Sequence, residues 1–169
     1  MCEYCGCQNL PAIDDLTREH DLVVNLIGDV RAAQRDGDLP GLARAAQRIA
    51  VILEPHTVVE EEGLFPALAD EFPDQMAALC GEHRRIAAVL DEAATVVPAD
   101  PTWPGRLLEA LELLRNHILK EQDGVFPAAL AGLGPEQWDA FAAVRARVGT
   151  LLPRSRTAAR AVAPGKATP

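Results

Sequence analysis

Apolar residues recur at helical spacing over long stretches of the chain, and short segments rich in glycine, proline and aspartate separate them. This periodicity predicts four long helices, over residues 13–35, about 40–65, 73–97 and 103–131. A Gly-Leu-Gly-Pro segment then precedes a shorter fifth helix. The apolar residues of this last helix are Trp138, Phe141, Val144 and Val148.

Four long helices joined by short turns favour an all-α fold, an antiparallel up-and-down four-helix bundle. We expect the short C-terminal helix to pack across one end of it. The bundle is predicted over residues 13–151, after a cysteine-containing N-terminal segment of residues 1–12. Residues 152–169 are rich in proline, alanine and arginine and have no periodic apolar face, so we expect a disordered tail.

Pro55 lies inside the predicted second helix, directly before His56. Proline lacks a backbone N–H and its ring crowds the preceding turn, so a bend is expected there. The bend is either simply tolerated or it directs His56 inward, and the sequence leaves both interpretations open.

Composition and charge narrow the classes of function. The chain has 169 residues, enough for one domain, and 49% of them are hydrophobic. Its formal charge of −9 argues against nucleic-acid binding and against docking on an anionic membrane. No apolar run reaches the roughly 20 residues of a membrane span, and the N-terminus lacks the features of a secretory signal. We therefore expect a cytoplasmic protein.

A repeat between the two halves of the chain contains all four histidines. The segment beginning at His56 and the segment beginning at His117 both read HxxxExxGxFP, offset by 117 − 56 = 61 residues. Upstream, the Glu-His pair that ends at His20 matches the Glu-His pair that ends at His83, offset by 83 − 20 = 63 residues. Each half is therefore predicted to be a helical hairpin with one histidine on its first helix and a His/Glu pair on its second.

This arrangement predicts a pair of metal ions at the centre of the bundle. Residues i and i+4 share a helix face, so each HxxxE directs an imidazole and a carboxylate towards the same point. The predicted ligands are His20, His56, Glu60, His83, His117 and Glu121. If both carboxylates bridge, each metal receives two nitrogens and two oxygens, and a solvent-derived oxo or hydroxo bridge adds a fifth ligand. Mixed imidazole and carboxylate ligation with open positions favours iron over zinc.

The sequence resembles the hemerythrin-like family of cation-binding (HHE) domains over roughly residues 16–130, on the pattern H…HxxxE…H…HxxxE. The resemblance implies an up-and-down four-helix bundle around a non-haem di-iron centre. It implies that the four histidines are terminal ligands and that Glu60 and Glu121 bridge the irons.

The chain departs from the oxygen-carrying hemerythrins, which have HxxxH on the third helix. Here Leu79 and Ala87 occupy the positions four residues on either side of His83. The carriers also use an aspartate at i+5 as the last carboxylate, where this chain has Gln122, so Glu121 takes that role. These differences argue against simple reversible oxygen carriage.

Relatives with four histidines and two glutamates are linked to peroxide breakdown, nitric-oxide stress, iron-centre repair and iron sensing. The resemblance therefore implies binding or processing of a small oxidant, namely hydrogen peroxide, dioxygen or nitric oxide, with catalase-like peroxide disproportionation as one form. The alternatives are an iron, NO or O₂ sensor without turnover, or an iron donor for iron–sulfur repair. No catalytic residue and no redox partner is singled out.

Several residues beside the predicted ligands have two interpretations each. Glu61 is predicted to be solvated, with an alternative role as a ligand, and Glu19 and Glu82 to form salt bridges rather than to orient histidines. Gly63 and Gly124 either leave space for a bound diatomic or mark a helix irregularity before a proline. The repeated phenylalanines, Phe65 and Phe126, are predicted to be core residues that keep the site dry.

The cysteines suggest a second site. Cys2, Cys5 and Cys7 form a CxxCxC segment that, in a reducing compartment, suits zinc, an iron–sulfur cluster or a redox-active thiol pair. Cys80 is either a further ligand or an inert buried cysteine.

Overall fold

The computed structural model describes residues 11–152, and within this range every regular element is helical. The α-helices are α1 (Pro11–Asp36), α2 (Leu39–Val59), α3 (Phe65–Leu68), α4 (Pro73–Asp91), α5 (Trp103–Lys120), α6 (Phe126–Gly132) and α7 (Pro135–Val148). Two π-helical segments, Glu60–Leu64 and Glu121–Val125, follow α2 and α5 without a break. None of the helices in the described part of the chain is long and apolar enough to cross a membrane.

The helices pack as two hairpins. The first hairpin pairs α1 with α2, the second pairs α4 with α5, and the two meet where α2 contacts α4 and α1 contacts α5. Helix α7 packs outside this bundle on the first hairpin, against α1, α2 and the first π segment. The predicted antiparallel bundle and its additional C-terminal helix are confirmed.

The third long helix is shorter than its sequence predicts. Helix α4 ends at Asp91, six residues before the predicted end at Val97. The side chains of Val96 and Val97 are 64% and 41% exposed, so burial does not favour a longer helix there. Pro98 also disfavours helical backbone at the residue before it.

The repeated motif produces the two π segments. The backbone N–H of Phe65 donates to the carbonyl of Glu60, and Phe126 donates to Glu121 in the same way, an i→i−5 bond in each copy. A proline follows each phenylalanine and has no N–H for an α-helical bond, which explains why the turn widens there. Helix α2 itself continues through Pro55 to Val59. The helix irregularity before a proline, one of the two interpretations of the repeated glycines, is therefore what the structure shows.

The apolar core consists of two clusters of buried residues, with the histidines between them along the helices. Leu16 belongs to one cluster and Val23 to the other, and His20 lies between these positions on α1. On α4, His83 lies in the same way between Leu79 and Ile86. The polar site therefore sits in the middle of the bundle, with packed apolar layers above and below it.

Candidate metal centre

The six predicted ligands meet in the interior of the bundle. Each of them is at most 7% exposed, and Glu60 and Glu121 are fully buried. Two overlapping groups of side chains have their potential ligand atoms within 4.8 Å of one another. One group is His20, His56, Glu60 and Glu121, and the other is His83, His117, Glu60 and Glu121.

The first group contains one histidine from each helix of the first hairpin. The Nε2 atoms of His20 and His56 lie 3.1 Å apart. Nε2 of His56 is 3.3 Å from Oε1 of Glu60, and Nε2 of His20 is 3.1 Å from Oε2 of Glu121. Two nitrogens and two oxygens thus surround one point; we call this half the N-terminal half-site.

The second group repeats this geometry with the second hairpin. Nε2 of His83 is 3.4 Å from Oε2 of Glu60, and Nε2 of His117 is 2.8 Å from Oε1 of Glu121. We call this half the C-terminal half-site. Each glutamate presents one oxygen to each half-site, which is the arrangement of a carboxylate that bridges two cations.

The outward-facing nitrogen of every histidine also has a polar neighbour. Nδ1 of His56 is 2.8 Å from Glu19, Nδ1 of His117 is 2.9 Å from Glu82, and Nδ1 of His83 is 2.8 Å from Glu61. The side-chain amide of Gln122 lies 3.4 Å from Nδ1 of His20. A carboxylate at Nδ1 accepts the ring proton there, so Nε2 is left free to bind a metal, and the ring orientation is fixed.

The buried carboxylates require positive charge at this point. None of the four side-chain oxygens of Glu60 and Glu121 accepts a hydrogen bond within the described part of the chain; the histidine nitrogens that face them at 2.8–3.4 Å make ion-pair contacts only. Burying an ionised carboxylate without hydrogen bonds or a compensating charge is strongly unfavourable. A pair of cations would supply both the charge and the bonds, so the residues present fit a di-metal site.

The pKa values show how the same charges are balanced by protons. Burial alone would lower the pKa of His56, but the carboxylates of Glu60 and Glu19 raise it to about 10. The pKa of His117 is also raised, against the effect of burial, by Glu121 and Glu60. The pKa of Glu60 is held well below its usual range, despite burial, by the charge of His56. The raised pKa values of His56 and His117 favour their protonated forms, so metal binding there would displace protons.

The comparison with protein families agrees with this geometry. Residues 12–129, more than half of the chain, match the model described as Hemerythrin HHE cation binding domain. The chain belongs to the hemerythrin HHE cation-binding family. No curated protein and no solved structure matches it. The matched range contains all six residues of the candidate metal centre and ends before α7.

The candidate metal centre is reached by a cleft of about 550 Å³ between α2 and α4. Its walls include the apolar side chains of Leu53, Ile86, Ala87 and Leu90, and all four histidines line it. The oxygen carriers have a second histidine on the third helix, four residues from the first. At the two corresponding positions of this chain, Leu79 is buried in the core and Ala87 lines the cleft. The small side chain at position 87 keeps this approach open.

Three carboxylates near the candidate ligands make contacts beyond the predicted ones. Glu61 is 36% exposed and so partly solvated, but it also contacts Nδ1 of His83, and it belongs to neither group of potential ligands. Glu19 and Glu82 form salt bridges as predicted, but each also orients a histidine. The prediction considered only the adjacent histidine, whereas Glu19 contacts His56 on the opposite helix of its hairpin.

The repeated phenylalanines lie against the candidate ligands, whereas Gly63 lies against α7. Phe126 stacks on His20 with ring centroids 5.7 Å apart, and Phe65 stacks on His83 at 5.8 Å, so both are buried residues that cover the site. A Cβ on Gly63 would lie 2.9 Å from the ring of Phe141, so this glycine leaves room for α7 rather than for a diatomic ligand.

Two basic side chains, which the repeat did not predict, form ion pairs with the carboxylates of Glu19 and Glu82. Arg145 of α7 is 8% exposed and donates to both carboxylate oxygens of Glu19, at 2.9 and 3.0 Å. Lys120 donates to Glu82 at 2.5 Å from a side chain that is 53% exposed. The spacing of four residues between Phe141 and Arg145 was the available signal, because it places the arginine on the buried face of α7.

The cysteines contribute nothing to the centre within the described residues. Cys80 is half-buried and belongs to neither group of potential ligands. Burial and the neighbouring charge of Glu61 raise the pKa of its thiol, which disfavours the thiolate form that binds metals. Cys2, Cys5 and Cys7 lie outside the described residues.

Proposed function

We propose that this hemerythrin domain holds two iron ions and binds or processes a small oxidant, namely hydrogen peroxide, dioxygen or nitric oxide. The observation that supports it best is the set of four buried oxygens of Glu60 and Glu121, which accept no hydrogen bond from the described residues and lie between two pairs of histidines. His20 and His56 would hold one ion, His83 and His117 the other, and both glutamates would bridge. Four protein donor atoms per ion leave coordination positions open, which suits iron chemistry better than a structural zinc site.

A bound iron pair supplies two electrons and accepts them again, the capacity needed for peroxide disproportionation. The overall reaction, 2 H₂O₂ → O₂ + 2 H₂O, reduces one peroxide and oxidises the other, so it needs no external reductant. The chain's own part is to hold the pair in a dry, fixed geometry. Phe65 and Phe126 cover two of the histidine rings, and the orienting side chains keep each Nε2 directed inward.

The cleft between α2 and α4 supports a small ligand. Its volume of about 550 Å³ is ample for a diatomic molecule or hydrogen peroxide, and it leads from the surface to the four histidines. Its walls are largely apolar, and the charged side chains among them, Glu54, Glu61, Asp91 and Arg84, carry both signs.

The first experiment measures metals per chain by elemental mass spectrometry in the wild type and two variants. Glu60→Gln keeps the shape of the buried bridging side chain but removes its charge, and we expect loss of at least one of two irons. Glu62→Gln is the matched control, because Glu62 is exposed and pairs with Arg147 on the surface. Equal iron content in all three proteins, or no iron after anaerobic reconstitution, would contradict the proposal.

The second experiment separates turnover from binding on the iron-loaded protein. Oxygen evolution from added peroxide that is lost in His117→Ala supports the catalase-like activity. If no oxygen evolves but nitric oxide or dioxygen changes the visible spectrum, the domain is a binding or sensing module instead. If no oxygen evolves and none of the three ligands changes the spectrum, both the catalase-like activity and the binding module are excluded.

A third experiment tests the cleft as the route. Ala87→Leu places a larger side chain in the cleft, whereas Ala88 is exposed on the same helix and does not line it. We expect Ala87→Leu to slow the reaction of the loaded centre with peroxide or nitric oxide at unchanged iron content. Ala88→Leu should react as the wild type does, and equal rates in both variants would exclude this route.

A further inference from the structure

The two hairpins repeat one another around the centre, but the repeat is broken at one position beside the ligands. Glu61 follows Glu60, and Gln122 follows Glu121, so the two residues are equivalent in the repeat. Each reaches across to the other hairpin and faces Nδ1 of its first histidine. The C-terminal half-site therefore has a carboxylate at this place, 2.8 Å from His83. The N-terminal half-site has a neutral amide there, 3.4 Å from His20.

The other orienting residues do not cancel this difference. Glu19 behind His56 is neutralised by Arg145, and Glu82 behind His117 is neutralised by Lys120. The formal charge of the orienting groups is thus zero around the N-terminal half-site, from Gln122, Glu19 and Arg145. Around the C-terminal half-site it is −1, from Glu61, Glu82 and Lys120. The ligands themselves are matched, with two histidines on each side and both glutamates shared.

We propose that the two half-sites bind metal unequally, and that Glu61 makes the C-terminal half-site the tighter one, which takes up the first divalent cation. The inference rests on the proposed metal centre and adds an order of filling to it. Glu61 acts as a positioning residue through His83, since it is not itself a ligand. A carboxylate that accepts the Nδ1 proton makes Nε2 more basic and fixes the plane of the ring, and its charge also attracts the dication.

The size of the effect follows from what such partners contribute in metal sites. Removing a carboxylate that orients a metal-binding histidine typically lowers metal affinity 10- to 100-fold. Because Glu61 is 36% exposed, solvent screens part of its charge, so we expect the lower part of that range. The wild type should therefore bind two cations in two resolved steps, about 10-fold or more apart.

The test titrates metal-free protein with Co²⁺, which keeps its oxidation state during the measurement, in competition with a chromophoric chelator. The matched variants Glu61→Gln and Gln122→Glu exchange the two unequal side chains. Glu61→Gln should weaken the first step about 10-fold and bring the two dissociation constants together. Gln122→Glu should tighten the second step and leave the first unchanged.

Two further variants identify which half-site fills first. His83→Ala removes a ligand of the C-terminal half-site and should abolish the tight step, whereas His20→Ala should preserve it. Circular dichroism of each metal-free variant checks that the bundle is still folded. A first step that survives His83→Ala but not His20→Ala would overturn the proposal, and so would equal steps in the wild type and in Glu61→Gln.

This design separates the failure of the inference from the failure of the metal centre. Uptake of two Co²⁺ ions with indistinguishable affinities in all variants contradicts only the inequality of the half-sites. Uptake of no Co²⁺ by folded wild-type protein contradicts the metal centre and the inequality together.

Discussion

The ion pair between Arg145 and Glu19 allows a test of how α7 is attached to the metal centre. The two side chains are 9% and 2% exposed, and the arginine donates two bonds to the carboxylate. Glu19 also contacts Nδ1 of His56 and accepts a bond from Thr150. Arg145→Ala would leave a buried carboxylate with these two partners but without its fixed cation.

Removing one partner of a buried ion pair typically costs about 3–5 kcal/mol, because the remaining charge stays buried without compensation. His56 and Thr150 still hold Glu19, so we expect a loss near 3 kcal/mol in the free energy of unfolding. The repeat provides a matched control in Lys120, which binds the equivalent carboxylate of Glu82 from a side chain that is 53% exposed. Solvent reaches Lys120, but Glu82 is only 8% exposed, so Lys120→Ala should cost more than the about 0–1 kcal/mol of an exposed ion pair and less than Arg145→Ala.

The assay is urea denaturation of metal-free protein at pH 7, followed by circular dichroism, for the wild type and both single variants. The double variant Arg145→Ala/Glu19→Gln removes the uncompensated charge and should recover part of the loss. Equal stability losses in Arg145→Ala and Lys120→Ala would refute the reasoning, since burial would then make no difference to the ion pair. Failure of Glu19→Gln to recover any stability would show that lost packing, rather than charge, causes the effect.

Three more results are expected. Gly63→Ala should destabilise the protein by about 1–3 kcal/mol by displacing α7, whereas Gly124→Ala, with open space beside it, should be neutral or slightly stabilising in thermal unfolding. The stability difference between wild type and Arg145→Ala should shrink as the pH falls. Glu19 has a folded pKa lowered from 4.5 to about 2, so its contribution is complete above pH 4.5 and is lost through pH 2. Metal uptake at pH 7 should release protons, because the raised pKa of His56 means that its ring is protonated before binding; calorimetry in buffers of different ionisation enthalpy counts them.

The sequence predicted the bundle and the positions of the six grouped residues because both follow from local periodicity and from one repeat. Apolar spacing depends on residues within a turn or two, and the HxxxE spacing places two side chains on one face whatever surrounds the helix. The end of α4 was wrong because Val96 and Val97 read as helical apolar residues until their exposure is known. Helix propensity alone does not show at which residue the packing of α4 in the bundle ends.

The interactions between elements were harder to predict. The duplicated Glu-His pairs were read only against the adjacent histidine, and the contact from Glu19 to His56 spans 37 residues. The sequence left two interpretations of Gly63 open and did not indicate its actual neighbour, Phe141, which comes from a helix outside the repeat. Arg145 has no counterpart in the repeat at all, so duplication gave it no emphasis.

These cases separate two kinds of position in a duplicated domain. Where both copies keep the same residue, as Glu19 and Glu82 do, the two-fold geometry gives both the same task, and each orients the histidine of its hairpin partner helix. Where the copies differ, the two halves are distinguished. A carboxylate at Glu61 against an amide at Gln122 changes the charge beside one half-site by a full unit without altering any ligand. The repeat therefore identifies the candidate centre, and its departures from symmetry show where the two halves differ.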